Sequence, residues 1–262
     1  MPSRRRRESH PAVWRLAAIL LLPIARLLIG TRLHHAERVP ATGAFVLAPN
    51  HDSDIDPIVM AIALYRAGRL PRFLAKASMF RAPVLGAFMR ASGMIPVERG
   101  GRSAGAGGAD RGAARSGDPI AAARRLTDQH AGVIIYPEGS LTRDPDLWPM
   151  RGKHGAARLA LAAGVPVIPA AHWGEQRILP RWGKRPRLVP RTTVDVVFGE
   201  PVDLSRWEGR DPDDATLTAA TAAIMQAITA LLEDLRGETA PPERWDPAAH
   251  GQSEFGRPGV DG

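Results

Sequence analysis

The chain has 262 residues, of which 44% are hydrophobic and 24% charged. That is enough apolar material for one core, and the balance excludes a disordered or fibrous protein. Cysteine is absent, which removes disulfide frameworks, thiolate metal sites and cysteine nucleophiles, while the formal charge of +8 points to an anionic partner: nucleic acid, an acidic lipid surface or a phosphorylated substrate.

Arg4 to Arg7 precede an apolar stretch from Ala12 to Gly30 whose longest uninterrupted run, Leu16 to Ala25, is ten residues. Spanning a bilayer takes ~18–20. No small-residue cleavage site follows, and Arg26 and Arg32 stand where one would be expected, which argues against a signal peptide. Arg15 and Arg26 are eleven residues apart, close to three helical turns, so both point the same way from an otherwise apolar helix. Residues 1–35 are therefore expected to form a basic amphipathic segment lying in the membrane interface, drawn to the anionic cytoplasmic leaflet. A helix buried against the domain fits the same pattern.

Beyond it, short apolar runs alternate with helical spacings. Strands are expected at Ala44–Ala48, Arg72–Ala75, Met94–Val97, Val133–Tyr136, Val167–Ala171 and Thr193–Phe198, and helices at Pro57–Arg66, Pro83–Ala91, Pro119–His130, Gly152–Ala163 and Asp214–Arg236. This order predicts an α/β domain over residues 36–236, with a central, mostly parallel sheet covered by helices. Residues 100–118 are almost wholly Gly, Ala, Ser, Arg and Asp and read as a flexible loop. Residues 237–262, rich in Pro, Gly and charge, are expected to be a disordered tail.

Several motifs fail on context. Gly101 to Gly105 fits G-x-S-x-G, but a glycine-rich stretch follows where a nucleophile elbow needs a helix. Asp52-Ser53-Asp54-Ile55-Asp56 has the acidic spacing of a calcium loop, yet Pro57 and Ala63 occupy the places of its glycine and closing glutamate. There is no P-loop, dinucleotide fingerprint or zinc-spaced histidine pair.

The informative segment is Ala48 to Pro57, APNHDSDIDP, at the carboxyl end of a predicted strand, where open α/β sheets place their ligands. On a continuous helix His51 and Asp56 would diverge by about 140°. Pro57 disfavours helical geometry at Asp56, so a tight turn can bring imidazole and carboxylate together. The carboxylate would fix the tautomer and stabilise the imidazolium, freeing the other nitrogen to take a proton from a hydroxyl. The same residues also fit a plain helix cap at Asp56 beside a solvated turn histidine.

Asn50, followed by the H-x4-D spacing of His51 and Asp56, resembles the signature of the glycerolipid acyltransferases, the lysophosphatidic acid acyltransferase superfamily. Three further blocks come in that family's order: Gly93 to Arg99 (GMIPVER), Tyr136 to Ser140 (YPEGS) and Val165 to Pro169 (VPVIP). The resemblance extends over residues 41–201 and implies His51 as general base, Asp56 as its orienting partner, and a phosphate-holding region made by Arg99 with Glu138, Gly139 and Ser140, with Asn50 beside them. One position departs: the family often has arginine directly after the Glu-Gly-Thr/Ser turn, where this chain has Leu141, with Arg143 two places later. Arginine suits a phosphate monoester through its planar fork.

The resemblance implies a membrane-associated acyltransferase that moves a fatty acyl chain from acyl-CoA or acyl carrier protein to a lysophospholipid hydroxyl, with lysophosphatidic acid giving phosphatidic acid. It implies no cofactor, metal or nucleic-acid partner. Other acceptors, such as glycerol 3-phosphate, a different lysophospholipid or a glycolipid, stay open, as does a non-catalytic basic lipid or nucleic-acid binder. The aromatic content of 5% leaves few stacking platforms for nucleic acid. Arg181 to Arg191 joins five cations to Trp182 and reads as a headgroup patch or a solvated loop.

Overall fold

The computed structural model describes residues 23, 25, 27–76, 80–97, 119–209 and 212–253. The expected interfacial helix before residue 23, Arg99 and the 100–118 loop lie outside these residues. Among the described residues there are seven strands: β1 (Ile29–His34), β2 (Phe45–Pro49), β3 (Leu74–Lys76), β4 (Ile95–Val97), β5 (Gly132–Ile134), β6 (Val167–Trp173) and β7 (Thr192–Phe198). The helices are α1 (Asp56–Arg66), α2 (Pro83–Ala91), α3 (Pro119–Asp128), α4 (Gly155–Ala163), α5 (Glu175–Ile178) and α6 (Asp214–Arg236).

The main sheet has the order β1-β7-β6-β2-β5. Three pairings are parallel, as a mostly parallel sheet requires, and the β6/β7 pairing is antiparallel, which makes the sheet mixed. The reason is local: a long loop returns the chain from β6 to β7 without a full crossover helix, which lets β7 run back alongside β6. β3 and β4 form a separate parallel pair, joined to the β5 edge where Phe73 bridges Ile134.

Side chains on β2 alternate between two apolar layers. Val46 and Ala48 pack with α4 and α6 residues such as Ala157, Ala160, Ile224 and Ile228. Phe45 and Leu47 pack with Val59, Met60 and Ala63 of α1 and with Val194, Val196 and Phe198 of β7. Burial on both faces explains the uninterrupted apolar reading of β2.

Two boundaries differ from expectation. The predicted amino-terminal segment ran to residue 35, but β1 begins at Ile29 and pairs with β7 along its length. Gly30 permits the close approach, since a Cβ there would lie 2.7 Å from Thr193 Oγ1. The apolar run hid this strand because Ile29 continues the helical leucine pattern without a break.

At the other end, the expected tail is folded through residue 253. The Arg151 N–H donates to the Trp245 carbonyl, Trp245 stacks on His250, and Pro247–His250 form a 3-10 turn. Arg236 fills the space between Trp148 and Trp173, its guanidinium carbon 3.9 and 4.4 Å from the two ring centres. α6 is long and apolar enough to cross a membrane, but Leu217, Ala220, Ile224, Ile228 and Leu232 are spent on the core.

Candidate active site

The turn after β2 brings His51 and Asp56 together. His51 Nδ1 lies 2.9 Å from Asp56 Oδ2, and the same oxygen accepts the backbone N–H groups of Asp52 (2.7 Å) and Ser53 (2.8 Å). Asp56 is the first residue of α1, whose N-cap is Ile55 with no side-chain cap. Its carboxylate therefore satisfies N–H groups of the preceding turn and the histidine, and does not cap the helix. The imidazole stacks on Tyr136 with centroids 4.1 Å apart. The His51 side chain is 16% exposed and that of Asp56 is fully covered, so the pair opens on the imidazole side.

Glu138 ties the second strand end to the first. One oxygen accepts the His51 N–H at 2.9 Å and the other the Met150 N–H at 3.0 Å. Burial pushes its carboxyl up to about 8, against the pull of those two N–H groups. Gly139 has φ of 73°, a conformation that favours glycine, and the chain then returns so that the Thr142 N–H donates to the His51 carbonyl. Arg143 follows, with its guanidinium 5.3 Å from the Trp182 ring. Arg181 packs on the same ring and donates to the carbonyls of Thr142 and Asp144.

Below the pair lies a buried polar layer. Asn50 donates to the His172 carbonyl and accepts its N–H, clamping β2 to β6. The His172 ring contacts Glu175 through Nδ1 and the Asn50 carbonyl through Nε2. Burial and then Glu175 and Asp56 hold the Asp52 carboxyl well above its usual range. Burial also raises Asp56, though His172 and His51 oppose it. Asp52, Asp56, His172 and Glu175 place donor atoms within 4.8 Å of one another, the one set among the described residues that could hold a cation.

The acyltransferase family pattern matches residues 30–173. The chain belongs to the acyltransferase family. It is 27% identical over 222 residues to a 1-acyl-sn-glycerol-3-phosphate acyltransferase of Bacillus subtilis, covering 84% of this chain and 96% of that one. A chloroplastic 1-acyl-sn-glycerol-3-phosphate acyltransferase of Brassica napus is 28% identical over 201 residues, 76% of this chain and 52% of its own. The crystal structure of the 1-acyl-sn-glycerophosphate (LPA) acyltransferase from Thermotoga maritima superposes with a TM-score of 0.59 at 19% identity, covering 87% of this chain and 81% of that one. At that identity it shows a shared fold.

Of the residues marked out in this acyltransferase by sequence, His51, Asp56, Glu138 and Asn50 converge, with the Gly139-Ser140 turn and Arg143 on the adjoining loop. Asn50 is buried and its amide is committed to β6, which gives it a structural place in this arrangement. Arg99 lies outside the described residues. Past that loop, Arg151 faces Asp246 and His154 faces Asp214. Sequence reasoning missed His172 and Glu175, and Lys153, whose chain passes Gly139 closely enough that a Cβ there would lie 3.0 Å from Lys153 Cδ. The available signal was the His-Trp-Gly-Glu run ending a strand that neighbours β2, but that adjacency is a fact of topology.

Proposed function

We propose that the protein transfers a fatty acyl chain from a thioester donor, acyl-CoA or acyl carrier protein, to the free hydroxyl of lysophosphatidic acid, giving phosphatidic acid. The observation that carries this reading is the His51–Asp56 pair at the carboxyl end of β2 in a member of the acyltransferase family. With Nδ1 bound to Asp56, His51 has Nε2 left to take the hydroxyl proton as the oxygen attacks the thioester carbonyl. Asp56 then stabilises the imidazolium. Collapse of the tetrahedral intermediate breaks the C–S bond, and the departing thiolate takes the proton back from His51.

Arg99, Ser140 and Arg143, with the Glu138-Gly139 turn, form the proposed acceptor-phosphate region. Leu141 stands where relatives often carry arginine, and this favours a test with several acceptors. Anionic membrane at the cytoplasmic face is the proposed setting, held by the basic amino-terminal segment and by the β6–β7 loop. From Leu179 to Arg191 that loop carries five cations and no acid; Lys184, Arg185 and Arg187 are exposed, and Val189 is 90% exposed. Such a surface suits lipid headgroups.

The test is a panel: purified protein, both donor types, and lysophosphatidic acid beside glycerol 3-phosphate and other lysophospholipids, with products identified by mass spectrometry. Phosphatidic acid should dominate, and a folded His51→Ala protein should lose ~10²–10⁴-fold in rate. Near-normal turnover by that variant would refute the mechanism, and preference for another acceptor would reassign the substrate.

A further inference from the structure

The acyl-transfer step uses His51 and Asp56 but leaves unexplained the titratable groups beneath them. His172 stands near the end of β6, Glu175 opens α5 three residues later, and Asp52 lies in the turn between His51 and Asp56; all three are buried. Four carboxylate oxygens in this layer, both of Asp52, Asp56 Oδ1 and Glu175 Oε2, meet no N–H or O–H donor. Buried carboxylates left in that state are costly unless protons or a cation offset the charge.

The geometry says where two protons sit. Both ring nitrogens of His172 face acceptors, Nδ1 the Glu175 carboxyl and Nε2 the Asn50 carbonyl oxygen at 2.8 Å. A carbonyl oxygen brings no proton, so Nε2 carries one, and Nδ1 against a carboxylate carries the other. The ring is kept in place because the Asn50 side chain holds the His172 backbone at both its N–H and its carbonyl. The orphan oxygens of Asp52 and Glu175 can pair only if one of them is protonated. Asp52, with Glu175, Asp56 and Glu138 around it, is the group burdened with like charge, so it is the donor to Glu175.

We propose that His172 is a positioning residue for the His51–Asp56 pair: clamped between Glu175 and the Asn50 carbonyl, it stands as a fixed cation beside Asp56 and keeps that buried carboxylate ionised, while the Asp52 proton anchors Glu175. Asp56 is faced by His51 and Asp52 from its own turn, His172 from β6, Glu175 from α5, and Glu138 and Tyr136 from the β5–α4 connection. His172 is the group here that carries positive charge in the resting state. Burial works against that charge, but Glu175, Asp56 and the Asn50 carbonyl outweigh it and lift His172 to about 9. An ionised Asp56 is what the imidazolium formed at His51 requires.

This inference rests on the acyltransferase reading, and its test separates the two. In ring-nitrogen NMR of the full chain near pH 7.5, one histidine should carry protons on both nitrogens, and that signal should vanish in His172→Gln; a singly protonated His172 overturns the proposal. In the kcat/KM profile, His172→Gln should move the acidic limb up by about one unit or more, since Asp56 takes a proton more readily without its cation; an unmoved limb overturns it. Asp52→Asn keeps a donor for Glu175 and should rescue the rate and profile that Asp52→Leu loses, and equal loss in both overturns the shared proton. This pair also serves if His172→Gln fails to fold. Elemental analysis of purified protein should find no stoichiometric divalent metal, whereas one bound ion per chain would replace the protons and overturn the assignment. The NMR and metal readings do not depend on which acceptor is acylated.

Discussion

Replacing Asp56 by asparagine separates the charge of the site from its geometry. Asp56 Oδ2 accepts three bonds, from His51 Nδ1 at 2.9 Å and from the N–H groups of Asp52 and Ser53 at 2.7 and 2.8 Å. An asparagine that sets its amide oxygen at that point accepts the same three, and only the negative charge is gone. The charge matters when His51 becomes an imidazolium, so the rate should fall by ~10²–10⁴-fold, equivalent to about 3–5 kcal/mol in the barrier. Stability should fall less than in the alanine variant, through the weaker hold on the buried His172 cation. Alanine, in contrast, leaves two buried backbone N–H groups without an acceptor at about 1–3 kcal/mol each, a loss of roughly 2–6 kcal/mol. The assay is the initial rate of thioester consumption with lysophosphatidic acid, alongside a thermal melt of each variant in the same detergent. Full activity in Asp56→Asn would refute the orienting role, and an asparagine variant as unstable as the alanine one would show that the carboxylate matters for folding alone.

Other outcomes follow from the same geometry. Glu138 is raised to about 8 and His172 to about 9 by their buried surroundings; a group raised on folding lends stability below its unfolded value and loses it as pH climbs to the folded one. Melting temperature should therefore fall as pH rises from about 4.5 to 8 through Glu138 and from about 6.5 to 9 through His172, and a rise across the second window would contradict this. Replacing Lys184, Arg185 and Arg187 with glutamine should weaken binding to anionic vesicles by roughly 100-fold, at about 1 kcal/mol per cation, with a reduced salt dependence; unchanged binding would remove the β6–β7 loop from the membrane contact. Deleting residues 1–22 should release more of the protein while sparing β1, which begins at Ile29, and retention on the vesicles would remove the amino-terminal segment from the contact. Arg99→Ala should raise the acceptor KM more than it lowers kcat, and an effect confined to the donor KM would move Arg99 out of the acceptor site.

The sequence by itself determined what short-range pattern can encode. Spacings of three and four marked α6 from Asp214 to Arg236, apolar runs marked β2, β6 and β7 to within a residue or two, and the polar segment after β2 marked the turn that joins His51 to its carboxylate, although Asp56 opens α1 where Pro57 argued against helical geometry. Only the tertiary structure decided the rest. Whether Ile29 to His34 extends a helix or forms a strand depends on a partner, β7, more than 150 residues away. The antiparallel β6/β7 pairing and the folded segment to residue 253 likewise exist through contacts with distant surfaces. His172 and Glu175 went unnoticed because they join the site across the β2/β6 pairing, with Asn50 and His172 separated by 122 positions. A hydrogen bond within one turn leaves its mark in residue spacing; a bond across a sheet depends on which strands become neighbours, and that is fixed by burial of the whole core.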